Sequence, residues 1–146
     1  MFYFDISFLV PLLLPEAASD RIAAFIGTLA VDDLAVSHWV QVGFSSLLAR
    51  QVRMGVVPAQ FAAEADARFE DMVAQSFLVI LPTANDFTLA KGLLADHRSG
   101  LRAGDALHLA IAQHHRVKAV HTLDKVMFQA GERVGLRLNT NFPQRP

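Results

Sequence analysis

The sequence predicts a three-layer α/β domain in which helices flank a central, mainly parallel sheet. Short apolar runs alternate with longer segments of helical spacing, and no repeat, low-complexity tract or linker interrupts this alternation. Apolar residues make up 53% of the 146 residues, which is enough for one buried core. We therefore expect residues 1–146 to form a single domain.

The first half of the chain contains two predicted strands and four predicted helices. FYF, which Asp5 follows, is typical of a buried parallel strand, and LAVS at residues 34–37 is the second predicted strand. The helices are predicted over residues 7–14, over residues 16–29, from an N-cap at Ser37 to a stop at Gly55, and from Pro58 to about Gln75. The third helix contains Gly43, where glycine costs roughly 1 kcal/mol relative to alanine.

The second half continues the alternation. FLVIL at residues 77–81 is a predicted strand, and either Thr83 or Asn85 is expected to cap the next helix. The inward-facing positions of that helix are predicted to be Phe87, Ala90 and Leu94. After a break at Gly100, ALHLAIAQHH predicts a strongly apolar helix, KAVHTLD a strand that ends in a carboxylate, and GLRLNT a candidate last strand.

Composition excludes several classes of function. The chain has no cysteine, which excludes disulfides, thiolate nucleophiles and zinc–cysteine sites. Thirteen basic and 14 acidic residues give a net charge of −1, so no overall field attracts nucleic acid, although ten arginines are compatible with a local basic groove. No apolar window reaches the ~18 residues of a membrane span, and the start lacks the basic region of a signal peptide. We expect a soluble cytoplasmic protein with no membrane partner.

Three aspartates are candidate metal ligands. Asp5 and Asp124 end predicted strands, and Asp105 opens an apolar helix. Each has an ordinary structural explanation, because the helix dipole favours Asp105 and the other two can cap turns. A parallel sheet, however, can bring strand ends and a helix N-terminus to one edge. Three carboxylates there would repel one another, and Mg²⁺ or Mn²⁺ in all-oxygen ligation would compensate for this and activate water against a phosphodiester.

The histidines give weaker evidence for a functional site than the three aspartates do. His108 lies one turn beyond Asp105 on the apolar helix and is expected to be packed, and His121 in the last apolar strand is expected to be structural. His114 and His115 lie near the end of their helix, where the dipole favours partial positive charge.

Three stretches of the chain carry a family resemblance: FYFDISFLVPLLLPE, VSHWVQVGFSSLLARQVRMG and LRAGDALHLAIAQHHRVKAVHTLD. The D-x-S opening, the R-x-x-D-A-L-H-L-A block and the later T-x-D are specific as a set. With them the sequence resembles the PIN-domain ribonucleases, most closely the VapC toxins of bacterial type II toxin–antitoxin systems. By position, the resemblance implies that the three aspartates are the first, third and fourth acidic residues of the family's metal site. It also implies that Ser7 and Thr122 orient ligands or water, and that Arg102 holds a carboxylate or a phosphate.

The resemblance implies an endoribonuclease that binds Mg²⁺ or Mn²⁺ and cuts RNA, often a structured RNA such as tRNA or ribosomal RNA. It implies a homodimer that a cognate antitoxin silences, with a toxin–antitoxin hetero-oligomer that contacts operator DNA only through the antitoxin. The aromatic and apolar residues from Phe61 to Phe77 are the region where dimer or antitoxin contacts are expected, although ordinary core packing also explains them.

Gly43 departs from the family pattern. The second acid of the family is a glutamate in contexts such as W-x-x-x-E-F-x-S-A-L, and the matching stretch here is WVQVGFSSLL from Trp39 to Leu48. Gln41 lies about 200° away around the helix and is a poor substitute. We therefore predict weakened metal binding and reduced cleavage with the fold retained. A gene-encoded glycine and a single-base change selected against toxicity during cloning are both open.

Two other functions are open as well. A catalytically silent PIN domain that binds an antitoxin or RNA is favoured by the missing glutamate. A receiver-like phosphoacceptor domain also gathers aspartates at strand ends, but it needs an acidic pair after the first strand, where Asp5 stands alone.

Overall fold

The structure is a computed structural model that describes residues 1–139 and residue 142. Its sheet consists of four parallel strands in the order β3-β2-β1-β4. The strands are β1 (Phe2–Phe4), β2 (Leu34–Ser37), β3 (Leu78–Ile80) and β4 (Ala119–His121). Because β1 pairs with both β2 and β4, the segments that follow these strands lie side by side at one edge of the sheet.

Helices cover both faces of the sheet. They are α1 (Ile6–Leu13), α2 (Ser19–Ile26), α3 (His38–Arg53), α4 (Ala59–Ser76), α5 (Ala84–Leu93), α6 (Ala103–His114) and α7 (Lys125–Arg133). The predicted three-layer α/β class with a parallel sheet is confirmed, and the element ends shift from the predicted ones by only a few residues. Within the described part of the chain, no helix combines the length and apolarity needed to cross a membrane.

Two local predictions were wrong, and a third is confirmed only in part. Phe87 does not face the core but is 56% exposed, because α5 instead buries Ala90 and the carboxylate of Asp86. Pro58 is the N-cap of α4 and not part of its first turn. The predicted last strand is reduced to a single isolated parallel bridge between Leu138 and Val120, and Thr140 of that segment lies outside the described residues.

The strands are short, and their burial explains their apolar composition. Tyr3 and Phe4 in β1, Ala35 and Val36 in β2, and Val120 in β4 are all fully buried. Strands covered on both faces require continuous apolar runs and not alternation, as the sequence has here. Aromatic contacts extend the core outward, with Phe4 stacked on His121 and Phe44 of α3 against Phe69 of α4.

A buried polar network links β1, β2 and α6. The Tyr3 hydroxyl lies 2.7 Å from Ser37 Oγ and 2.8 Å from His108 Nδ1. Ser37 occupies the predicted N-cap position of α3, but its side chain makes no capping bond and binds Tyr3 instead. His108 is packed, as expected, and burial lowers its pKa to about 4, so it is neutral at pH 7.

We expect Tyr3→Phe to destabilise the protein by about 1–3 kcal/mol, because it removes the hydroxyl that two buried polar side chains bind. Urea denaturation would measure the free energy of unfolding. Ser37→Ala is the matched comparison and should cost less, since Tyr3 keeps its bond to His108. Equal stability of Tyr3→Phe and the wild type would show that the network contributes nothing.

Candidate metal centre at the carboxyl edge of the sheet

Two of the three candidate aspartates lie directly after adjacent strands. Asp5 follows β1 and caps α1, where its Oδ1 accepts a hydrogen bond of 3.2 Å from the Phe8 backbone N–H. Asp124 follows β4 and caps α7, where its Oδ1 accepts one of 2.7 Å from the Met127 backbone N–H. Both aspartates therefore have the structural role that their positions suggested, and β1–β4 pairing places both at the same edge of the sheet.

Asp105 joins them from the N-terminus of α6. It is partly buried and accepts a hydrogen bond of 3.3 Å from the Arg102 backbone N–H. Burial raises the pKa of Asp105, the bond from Arg102 opposes this, and the negative charge of Asp124 raises the pKa further. The Asp124 charge also raises the pKa of Asp5. Asp124 thus interacts electrostatically with both other carboxylates.

Two hydroxyl groups hold the Asp5 carboxylate in place. Ser7 Oγ donates to Asp5 Oδ1 at 2.8 Å, and Thr122 Oγ1 donates to Asp5 Oδ2 at 3.0 Å. Each hydroxyl in turn accepts a backbone hydrogen bond from the loop after β4, Ser7 from Leu123 at 2.7 Å and Thr122 from Asp124 at 3.0 Å. The two segments that follow β1 and β4 are therefore joined through Asp5.

Asp5 is only 3% exposed, and its environment lacks a compensating positive charge among the groups that shift its titration. Burial raises the pKa of Asp5 to about 7, although the hydrogen bonds from Ser7, Thr122 and Phe8 lower it in part. Asp124 influences both Asp5 and Asp105, but the ligand atoms of these three carboxylates do not all lie within 4.8 Å of one another, as those of Asp86, His114 and His115 do. Carboxylate and hydroxyl oxygens are the type of ligand that Mg²⁺ or Mn²⁺ prefers, so the donor types fit a hard divalent cation, and the three carboxylates would have to move closer together to share one.

Gly43 lies on α3 opposite the start of α1. A Cβ atom built on Gly43 would lie 3.9 Å from Cγ2 of Ile6, the residue that follows Asp5. One turn earlier on α3, the Trp39 ring lies against Gly104, the residue before Asp105, since a Cβ there would be 3.6 Å from Trp39 Nε1. The helix thus runs past the residues that adjoin two of the aspartates in sequence, and a Cβ atom at position 43 makes only ordinary van der Waals contact.

A groove of about 440 Å³ opens next to Gly43. Its described lining contains one charged side chain, Arg50, and no carboxylate; the other lining residues are Ile6, Ser46, Leu47, Gln51, Met54 and Val56. The sequence analysis missed Ile6 and Arg50. Helical spacing from Gly43 would have identified Arg50, which lies seven residues later on the same face.

Arg102 lies next to Asp105, whereas Gln41 lies on the side of α3 that contacts α4. Arg102 is the exposed N-cap of α6, and its charge lowers the pKa of Asp105 against the effect of burial. Gln41 faces α4, where its Nε2 donates to Glu70 Oε2 at 2.7 Å. It therefore does not replace a carboxylate at position 43, in agreement with the helical-wheel argument.

A comparison with protein families matches the PIN domain to residues 2–132. No curated protein matches the sequence. The match covers the strands and helices that carry all three aspartates.

The fold is similar to those of several solved structures. VapC20 of Mycobacterium tuberculosis, a sarcin–ricin loop cleaving toxin, has a TM-score of 0.71 and 18% identity over 100% of both chains. FitAcB from Neisseria gonorrhoeae has a TM-score of 0.64 and 17% identity over 94% of this chain and 96% of its own. VapBC2 from Rickettsia felis, bound to a DNA fragment from its promoter, has a TM-score of 0.68 and 12% identity over 95% and 98%. At these identities the similarity establishes a shared fold.

The raised pKa of Asp5 predicts that the stability of the protein depends on pH when a chelator keeps metal ions away. The folded state keeps a proton that the unfolded chain has already released, so stability falls as the pH rises from about 4 to about 7. Asp5→Asn has no carboxyl group to titrate at this position. We therefore expect its free energy of unfolding to fall less than that of the wild type between about pH 5 and pH 7.5, by on the order of 2 kcal/mol. Denaturant unfolding at a series of pH values measures the difference.

The buried histidines also contribute to the pH dependence, but their contribution cancels when Asp5→Asn is compared with the wild type. Burial lowers the pKa of His108 and of His121 to about 4, which favours stability at higher pH equally in both proteins. Asp71→Asn, an exposed change on α4, is the matched control and should follow the wild-type profile. Parallel profiles for Asp5→Asn and the wild type would contradict the assignment.

Proposed function

Because the chain belongs to the PIN domain family, we propose that it is a metal-dependent endoribonuclease of the VapC toxin type, with impaired activity. The observation that supports this best is the buried Asp5 carboxylate, held by Ser7 and Thr122 and influenced electrostatically by Asp124. An aspartate that only caps a helix need not be buried, so capping does not explain why the charged form of Asp5 is disfavoured. A nuclease that binds a divalent cation does require such a cluster of acidic groups.

Each residue has a distinct part in the proposed site. Asp5, Asp105 and Asp124 would hold Mg²⁺ or Mn²⁺, which when bound supplies an activated water and stabilises the charge that develops on the phosphodiester. Ser7 and Thr122 fix the orientation of the Asp5 carboxylate through their hydrogen bonds. Arg102, next to Asp105, and Arg50, in the groove beside Gly43, are both exposed, and their guanidinium groups suit RNA phosphates.

The proposed impairment rests on Gly43. The groove beside it offers no carboxylate among its described lining residues, and Gln41 faces α4. The site therefore has three of the four acids that the family uses, which weakens the hold on the cation and on the attacking water. The uninterrupted α3 supports the prediction that the fold is retained.

We also propose a cognate antitoxin as the partner and a homodimer as the state of the toxin. FitAcB and VapBC2, the latter bound to promoter DNA, have a similar fold. This supports an antitoxin partner, through which any contact with operator DNA would be made. The region from Phe61 to Phe77 is a poor candidate for the contact surface, since Phe69 is buried and Phe77 packs against Phe4. Exposed Met54 and Val56, in the groove beside Gly43, support antitoxin binding there. We also propose that the chain forms a single domain and is located in the cytoplasm.

A second candidate function is a catalytically silent module that binds an antitoxin or RNA. Gly43 favours it directly, because the structure offers no substitute acid within the described groove. The two functions differ in whether cleavage can be measured, and recovered, in the same chain.

We expect Gly43→Glu to raise ribonuclease activity in Mn²⁺ or Mg²⁺ by on the order of 10-fold or more, because it adds a carboxylate where the family pattern has its second acid. The substrates are total tRNA and a sarcin–ricin loop oligonucleotide. Gly43→Gln is the matched control, since it gives the same gain in helix propensity without the charge, and it should stay at the wild-type level.

Asp5→Asn in the Gly43→Glu background should abolish the recovered activity. A folded Gly43→Glu protein that is no more active than Gly43→Gln would contradict the proposed impairment. No cleavage by any variant, together with tight binding of the small protein encoded next to this gene, would favour the silent module.

A further inference from the structure

We propose that Asp86, His114 and His115 form a second metal site, for a transition-metal ion such as Zn²⁺, where α5 begins and α6 ends. The three side chains can each offer one ligand atom, and these atoms lie within 4.8 Å of one another. Zn²⁺ binds imidazole nitrogen and carboxylate oxygen at about 2.0–2.2 Å in tetrahedral geometry, so ligand atoms on one ion lie roughly 3.3–3.6 Å apart. The side chains would have to adjust from their present positions by about an ångström or less to reach this separation.

Asp86 is already held in the orientation that a ligand needs. Its side chain is buried, and its Oδ2 accepts hydrogen bonds from the Thr83 backbone N–H and the Thr83 hydroxyl. Oδ1 is thereby directed at His114 Nδ1 and forms a hydrogen bond of 2.8 Å with it, which a bound ion would replace at a slightly larger separation.

His115 provides the observation that an ordinary ion pair leaves unexplained. An Asp86–His114 pair accounts for those two residues alone. The Nε2 atom of His115, however, is buried and has no hydrogen-bond partner within the described part of the chain. Its ring centroid lies 5.0 Å from that of His114. A buried nitrogen without a partner is costly, and coordination of an ion by the imidazole would give His115 a role in this cluster.

The ligand types indicate which ions would bind. Two imidazoles and one carboxylate favour Zn²⁺, Co²⁺ or Ni²⁺ over Mg²⁺. The His114 side chain is 36% exposed, so solvent reaches the cluster and water can complete the coordination.

This site is independent of the proposed nuclease centre. Asp105 and His114 are nine residues apart on α6, which corresponds to about 14 Å along the helix axis. The bound ion would connect the N-terminus of α5 to the C-terminus of α6. Its expected effect is a more stable α5–α6 pair, with no part in cleavage.

Binding of Co²⁺ and Zn²⁺ to the full-length protein tests the proposal. We expect one equivalent of Co²⁺ to produce visible d–d absorption, and Zn²⁺ to raise the Tm by several degrees. Both responses should persist in Asp5→Asn and in excess Mg²⁺, and His115→Gln should lose them. In chelator, His115→Gln should unfold at the wild-type temperature, which separates loss of the ion from loss of the fold.

His97→Gln is the matched control, because His97 is an exposed histidine outside the cluster, and it should keep both responses. Unchanged Co²⁺ absorption in His115→Gln would overturn the proposal, as would the absence of any response in the wild type. Loss of the response in Asp5→Asn would overturn it too, because the ion would then lie at the nuclease centre.

Discussion

Parallel pairing of β1 with β4 is the constraint on which the rest of the structure depends. The register pairs Phe4 with His121, and the Asp5 backbone N–H donates to the His121 carbonyl at 3.1 Å. The chain therefore leaves both strands at the same level, and the side chains of Asp5 and Thr122 meet there. A shift of one residue would turn these side chains to opposite faces of the sheet and separate them.

That constraint brings Asp5 and Asp124 to one edge of the sheet, where burial disfavours the charged form of Asp5. Asp5 is buried by its position next to the central strands, while Asp105 and Asp124 stay partly exposed at helix N-termini. The helix termini and the hydroxyl groups provide hydrogen bonds, which lower the cost of the carboxylates without neutralising them. α3 passes the start of α1, where Gly43 faces Ile6, and the described lining of the groove beside Gly43 contains none of the three aspartates.

Much of this arrangement could be predicted from the sequence, because it depends on local periodicity and on one rule about parallel sheets. Continuous apolar runs identify buried strands, and Asp5 and Asp124 follow two of them. The sequence could not predict features that depend on how helices pack on one another. The exposure of Phe87 and the approach of Asp86 to His114 both depend on the packing of α5 against α6, which no spacing within either helix records.

The proposed function requires that Asp5, Asp105 and Asp124 hold one cation between them. A crystal structure of the wild-type protein soaked in Mn²⁺, with anomalous scattering recorded, tests this most directly. We predict an anomalous peak within ligand distance of all three carboxylates. The absence of such a peak at high Mn²⁺ concentration, or carboxylates that point away from one another, would contradict it.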